Sequence, residues 1–102
     1  MIRHIVLIRF REELDSVEID RLLKSVHALQ DRIPGILAIS SGVDSSPEGL
    51  DKGFAHGFVV DFTDAAARDA YLPHPAHMEV GQNLVAAAKG GVDGILVFDL
   101  EM

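Results

Sequence analysis

Six side chains in this sequence have the chemistry to move protons near neutral pH. They are the single tyrosine, Tyr71, and five histidines, His4, His27, His56, His74 and His77. An imidazole titrates at about pH 6.5 and a phenol at about pH 10, so the two together make a base and a donor at neutral pH. Their spacing sorts them. His77 lies three residues before Val80 and seven before Leu84, on the apolar face of any helix formed there. Gly81, one turn on, leaves that face without a side chain. A helix-interior glycine costs about 1 kcal/mol against alanine, so it marks either a close packing contact or space for a ligand. Tyr71 follows Ala67 by four residues and can turn to the same interior. Alone, it reads as a packing aromatic with a bonded hydroxyl.

His4 and His56 sit on alternating strand faces, the first with Val6, Ile8 and Phe10, the second with Phe54, Phe58, Val60 and Phe62. They are either ligand-binding imidazoles or buried histidines bonded to nearby backbone or hydroxyl groups. His27, beside Val26 and off its helix's apolar stripe, is expected at the surface. His74-x-x-His77 has a spacing that suits one metal ion, but His74 reads as the N-cap before Pro75 and no third ligand has diagnostic spacing. No metal site is expected, and no cofactor. There is no cysteine, no phosphate-binding glycine loop and no Ser-His-Asp arrangement. Asp61 and Asp99 read as isolated acids at edge or solvent-facing strand positions.

These residues need elements to hold them. Ile2 to Phe10 reads as a strand. Asp15 and Glu18 form a capping box before a helical run of Ile19, Leu22, Val26, Leu29 and Ile33, stopped by Pro34-Gly35. Strands follow at Ile36 to Val43 and Phe54 to Phe62, flanking a polar loop. Asp64 caps a short alanine-rich helix ending near Leu72, Pro75 opens another, Gly90-Gly91 closes it, and Val92 to Leu100 is a last strand.

The order β-α-β-β-α-β is that of a ferredoxin-like α+β domain, here a single one over residues 1–102. Right-handed crossovers put the helices on one face of an antiparallel sheet. The first and last strands are apolar on both faces, and nothing left in the chain covers the second face. A homodimer, sheet against sheet, is expected, with Ile5, Leu7, Val97 or their neighbours between subunits.

The net charge is −7, from 16 acidic and 9 basic residues, which argues against nucleic acid or an anionic membrane as partner. No apolar run approaches the roughly 20 residues of a membrane span. The start Met1-Ile2-Arg3-His4 leads straight into a strand pattern rather than a signal peptide, so a cytoplasmic location is expected.

Four segments carry a resemblance. They are His4-Ile5-Val6-Leu7-Ile8-Arg9-Phe10, Ile33-Pro34-Gly35-Ile36, Gly53-Phe54-Ala55-His56-Gly57-Phe58 and Tyr71-Leu72-Pro73-His74-Pro75-Ala76-His77. In this order they resemble the stress-responsive dimeric α/β-barrel (Dabb) family, from about Ile2 to Leu100, and the Tyr-x-x-His-Pro-x-His element is the most specific. The resemblance implies a dimeric α/β barrel of two ferredoxin-like subunits. In a plant polyketide cyclase of that family, which performs a cofactor-free intramolecular aldol condensation, the catalytic pair matches Tyr71 and His77. Histidines matching His4 and His56 line the same pocket. For this chain it implies a small, partly apolar carbonyl ligand with aldol cyclase-like or isomerase-like chemistry. The alternative is a non-catalytic stress-responsive or scaffold protein with structural histidines.

Overall fold

A computed structural model describes residues 1–102. Its elements are β1 (Ile2–Ile8), α1 (Ser16–His27), β2 (Ile36–Val43), β3 (His56–Phe62), α2 (Ala65–Tyr71), α3 (Pro75–Ala87) and β4 (Ile95–Glu101). The four strands form one antiparallel sheet in the order β2-β3-β1-β4. This is the ferredoxin-like α+β arrangement.

Local chemistry sets the helix ends. The Glu18 backbone N–H donates to the Asp15 carboxylate at 2.8 Å, and the Glu18 side chain accepts from the Asp15 N–H, so α1 begins in a capping box. It tightens into a 3₁₀ turn over Ala28–Asp31 before Pro34. Gly35 then turns with φ of 89°, and a Cβ there would lie 2.6 Å from the Cβ of Ala67. Only glycine lets the start of β2 pass this close to α2. Asp64 caps α2 by accepting from the Ala67 N–H at 2.9 Å.

One face of the sheet is covered. Ile2, His4, Val6 and Ile8 of β1 and Phe58, Val60 and Phe62 of β3 are buried against Leu23, Val26, Leu29, Tyr71, Val80 and Leu84 from the helical side. His4 stands opposite Val60 on one neighbour and opposite Asp99 on the other. The opposite face of the sheet is open. There Ile5 and Leu7 adjoin Phe98 and Leu96, with Leu100 beyond, and all three β4 side chains are largely exposed. Arg3 and Asp61 pair on the same open face at 2.9 Å.

Several strand limits differ from the sequence reading. β1 ends at Ile8, because the backbone of Arg9 turns to bond Gly94 and Lys89. Phe10 makes a single bridge to Ala88. β3 starts at His56 rather than Phe54, whose ring instead lies under the Arg9 guanidinium at 4.2 Å. β4 starts at Ile95, since Gly91–Gly94 forms a 3₁₀ turn. Val97 was expected on the uncovered face, but it falls opposite Val6, on the helix side of the sheet edge. Its place beside Ile5 and Leu7 belongs to Leu96, Phe98 and Leu100. Asp61 and Asp99 are not isolated acids: each is paired. No helix is long and apolar enough to cross a membrane.

Candidate active site

The turn between α2 and α3 is built by the Tyr-x-x-His-Pro-x-His element. α2 ends at Tyr71 ahead of Pro73, and the His74 N–H donates back to the Tyr71 carbonyl at 3.0 Å. His74 is then the N-cap of α3, its Nδ1 accepting from the Ala76 N–H at 3.1 Å, with Pro75 in the first turn. One turn into α3, His77 donates its Nδ1–H to the Leu72 carbonyl at 2.8 Å. A carbonyl can only accept, so this bond fixes the tautomer and leaves Nε2 of His77 with its lone pair.

Tyr71 is 1% exposed and its ring centroid lies 4.2 Å from that of His77. The phenol also meets His4 at 5.9 Å and Phe62 at 4.9 Å, both edge-on. Its hydroxyl has no hydrogen-bond partner in the fold, yet it is not among the polar atoms sealed from solvent. The little exposure Tyr71 keeps is therefore at its polar tip. Burial pushes the phenol well above its ordinary value, so it stays protonated and keeps its O–H available as a donor.

His77 is shifted the other way. Burial lowers it most, the Leu72 carbonyl partly offsets this, and the nearby imidazoles of His4 and His74 lower it further. A neutral imidazole at pH 7 and a protonated phenol stand side by side. Next to His77, a largely apolar groove of about 460 Å³ runs along α3, lined by Met78, Gly81, Gln82, Val85 and Ala86. A Cβ added at Gly81 would meet nothing within 4 Å, so this glycine leaves space and does not serve a close contact.

The structure brings Tyr71, His77 and His4 together and does not bring in His56. His4 and His56 share the helix-side face, but His56 pairs with Ile8, four residues along β1 from His4. At about 3.4 Å per residue that is about 14 Å of strand. The His56 ring packs edge-on against Phe10 at 5.2 Å and borders two other grooves, one beside α1 and one on the open face. His27 is exposed, as expected, and bonds Ser41 at 2.8 Å. No group of three His, Cys, Asp or Glu side chains stands close enough to share a metal ion.

Asp99 is the residue that spacing alone missed. Its carboxylate takes the Nδ1–H of His4 at 2.6 Å and a guanidinium N–H of Arg68 at 2.9 Å. Burial raises its carboxyl, but the bonds to His4 and Arg68 outweigh that and hold it below the usual range. The signal available was the strand order: β4 borders β1 in a split β-α-β sheet, so an acid on β4 can face His4.

A four-stranded antiparallel sheet in this order, with its helices on one face, defines a ferredoxin-like α+β domain. The chain belongs to the stress-responsive A/B barrel domain family (Dabb), whose model matches residues 2–102. It is 31% identical over 98 residues to the stress-response A/B barrel domain-containing protein HS1 of Arabidopsis thaliana, covering 96% of this chain and 86% of that one. It is 24% identical over 98 residues to olivetolic acid cyclase of Cannabis sativa, covering 96% and 93%. Among solved structures, a dimeric ferredoxin-like protein of unknown function from Jannaschia sp. CCS1 superposes with a TM-score of 0.90. The two are 35% identical, and the match covers 99% of this chain and 98% of that one.

The shifted groups predict a pH dependence of stability. His77 titrates lower in the folded chain than its ordinary 6.5, so between the two values only the unfolded chain binds the proton. Stability should therefore rise with pH through that window and fall on acidification below about 6.5. Denaturant melts from pH 5 to 8 should show this slope, and His77→Gln should flatten it. Asp99 acts in a separate window, contributing above about 3.8 and losing its contribution as pH falls further.

Proposed function

We propose that this chain works as a homodimer and that Tyr71 and His77 form an acid/base site for a small, partly apolar carbonyl compound. The observation that carries the site is the pairing of two free polar tips. Nε2 of His77 is left as an acceptor by the Leu72 bond, and the Tyr71 hydroxyl is left unpartnered beside it. The hydroxyl keeps contact with solvent and bonds nothing in the fold, so a ligand carbonyl would give it the acceptor that the protein does not.

In this reading the ligand's carbonyl oxygen accepts from Tyr71, and its apolar part lies in the groove beside Gly81. His77 Nε2 takes the proton from the adjacent carbon, and Tyr71 stabilises the enolate oxygen. The enolate carbon then attacks a second carbonyl of the same molecule, as in an aldol cyclisation, or is reprotonated elsewhere, as in an isomerisation. No cofactor takes part. The relationship to olivetolic acid cyclase supports this class of chemistry. The competing reading, a non-catalytic stress-responsive protein, draws on the edge-on packing of His4, Phe62 and Tyr71, which also suits a plain aromatic core.

The dimer is supported by the open face and by the dimeric relative from Jannaschia. Ile5 and Leu7 on the central strand, with Leu96, Phe98 and Leu100, would meet their copies across a two-fold axis. The unaltered chain should sediment as a dimer at micromolar concentration. Leu7→Lys should give monomers or insoluble protein, and a soluble, folded monomer of the unaltered chain overturns this arrangement.

The site is tested by proton exchange. Small methyl ketones incubated with the protein in deuterated buffer should take up deuterium next to the carbonyl faster than in buffer alone. His77→Gln and Tyr71→Phe should each slow this by about 10²- to 10⁴-fold. Tyr71→Phe should do so with little change in thermal stability, since the hydroxyl it removes bonds nothing in the fold. Exchange no faster than in buffer across a broad ketone panel would leave the non-catalytic reading standing.

A further inference from the structure

His4 is 4% exposed, yet only half of its hydrogen-bonding capacity is used inside the fold. Nδ1 donates to Asp99 Oδ1 at 2.6 Å, while Nε2 has no partner and is not sealed from solvent. The other oxygen of Asp99 accepts from Arg68 at 2.9 Å, and the Nε–H of Arg68 donates to Asp69 at 2.9 Å. A chain of polar contacts thus crosses three elements, from Arg68 on α2 through Asp99 on β4 to His4 on β1. It ends beside the Tyr71 ring, and Tyr71 itself lies three residues after Arg68 on α2.

We propose that Arg68 and Asp99 are positioning residues that hold His4 with Nε2 turned toward the Tyr71–His77 site, where it serves as a second acceptor for the ligand. This rests on the reading of Tyr71 and His77 as a carbonyl site. A carboxylate can only accept, so Asp99 holds a proton on Nδ1 of His4, and of the two neutral tautomers this bond admits only the one with Nε2 bare. A carboxylate held at one oxygen alone can rotate. The Arg68 bond at the second oxygen fixes the carboxylate plane, as outer partners fix the ligating groups of metal and catalytic sites. The groups around His4 are Asp99 from β4, Arg68 and Tyr71 from α2, and His77 from α3.

The count of donors and acceptors defines a ligand class. Tyr71 offers one O–H, while His77 and His4 each offer a bare nitrogen. A simple ketone uses the phenol and gives one acidic C–H to His77, leaving His4 unpaired. A carbonyl compound that also carries a hydroxyl group satisfies all three. The site is therefore shaped for a hydroxyketone, in which the O–H donates to His4 Nε2.

A matched pair of ligands tests this. 4-Hydroxy-4-methyl-2-pentanone and 4-methyl-2-pentanone differ only by the hydroxyl, and both can be titrated into the full chain while its imidazole nitrogens are followed by NMR. The unaltered chain should show His4 with its proton on Nδ1 and should bind the hydroxyketone roughly three- to tenfold more tightly, the yield of one net hydrogen bond. Asp99→Asn should move the His4 proton to Nε2. Arg68→Met should abolish the preference while the plain ketone still perturbs His77, and Arg68→Lys should restore part of it. Should Arg68→Met not fold, Arg68→Gln makes the same comparison. Equal binding of the two ketones to the unaltered chain, or a His4 proton on Nε2, overturns the proposal and leaves the Tyr71–His77 site in place. If neither ketone perturbs His77, the carbonyl site itself is refuted, and the role of His4 with it.

Discussion

A polar imidazole on a central strand, buried among Phe62, Val60 and Tyr71, has to be compensated or the fold loses stability. His4 is compensated by one short bond to Asp99, and much of the rest is arranged around that contact. It ties β1 to the edge strand β4, where the alternation of side chains alone would permit a slip. A one-residue shift would turn His4 away from Asp99 and move Leu96, Phe98 and Leu100 off the open face. Through Arg68, the same carboxylate reaches α2 and fixes the helix that carries Tyr71. A hydrogen bond of this kind contributes about 1.5–3 kcal/mol when one partner is charged, and leaving either group unmatched would cost more.

From that frame the chemistry follows by subtraction. The backbone at Leu72 takes one nitrogen of His77, Asp99 takes one nitrogen of His4, and nothing takes the hydroxyl of Tyr71. The rings that carry these unpaired atoms cluster around Tyr71, where burial keeps the phenol protonated and lowers the imidazole of His77 toward its neutral form. Folded proteins usually satisfy such groups internally. Of these groups His77 alone borders the groove in which Gly81 leaves open space, and in the proposed reading a ligand seated there would complete all three.

Much of this was legible in the sequence because local rules dominate it. The capping box at Asp15, the stop at Pro34-Gly35 and the opening of α3 at Pro75 each follow from a few neighbouring residues, while His77, expected on the buried side with Val80 and Leu84, is only half-buried. The parts that were not legible depend on register. Two strands can share a face without bringing His4 near His56, and the pairing of Ile8 with His56 separates them. Val97 was placed on the wrong face because both faces of β4 are apolar, so alternation gave no sign of which side faced the helices. Asp99 looked like a surface acid because its partners, His4 and Arg68, lie 95 and 31 residues away along the chain.

The proposed chemistry depends on His77 being a neutral imidazole with its lone pair on Nε2, held by Leu72 next to a protonated Tyr71. Nitrogen-15 NMR of the histidine rings in the unligated chain reads both properties at once. The expected result is a His77 proton on Nδ1 at pH 7, with protonation of the ring only below its ordinary 6.5. A His77 that carries its proton on Nε2, or that is already charged at pH 7, would contradict it.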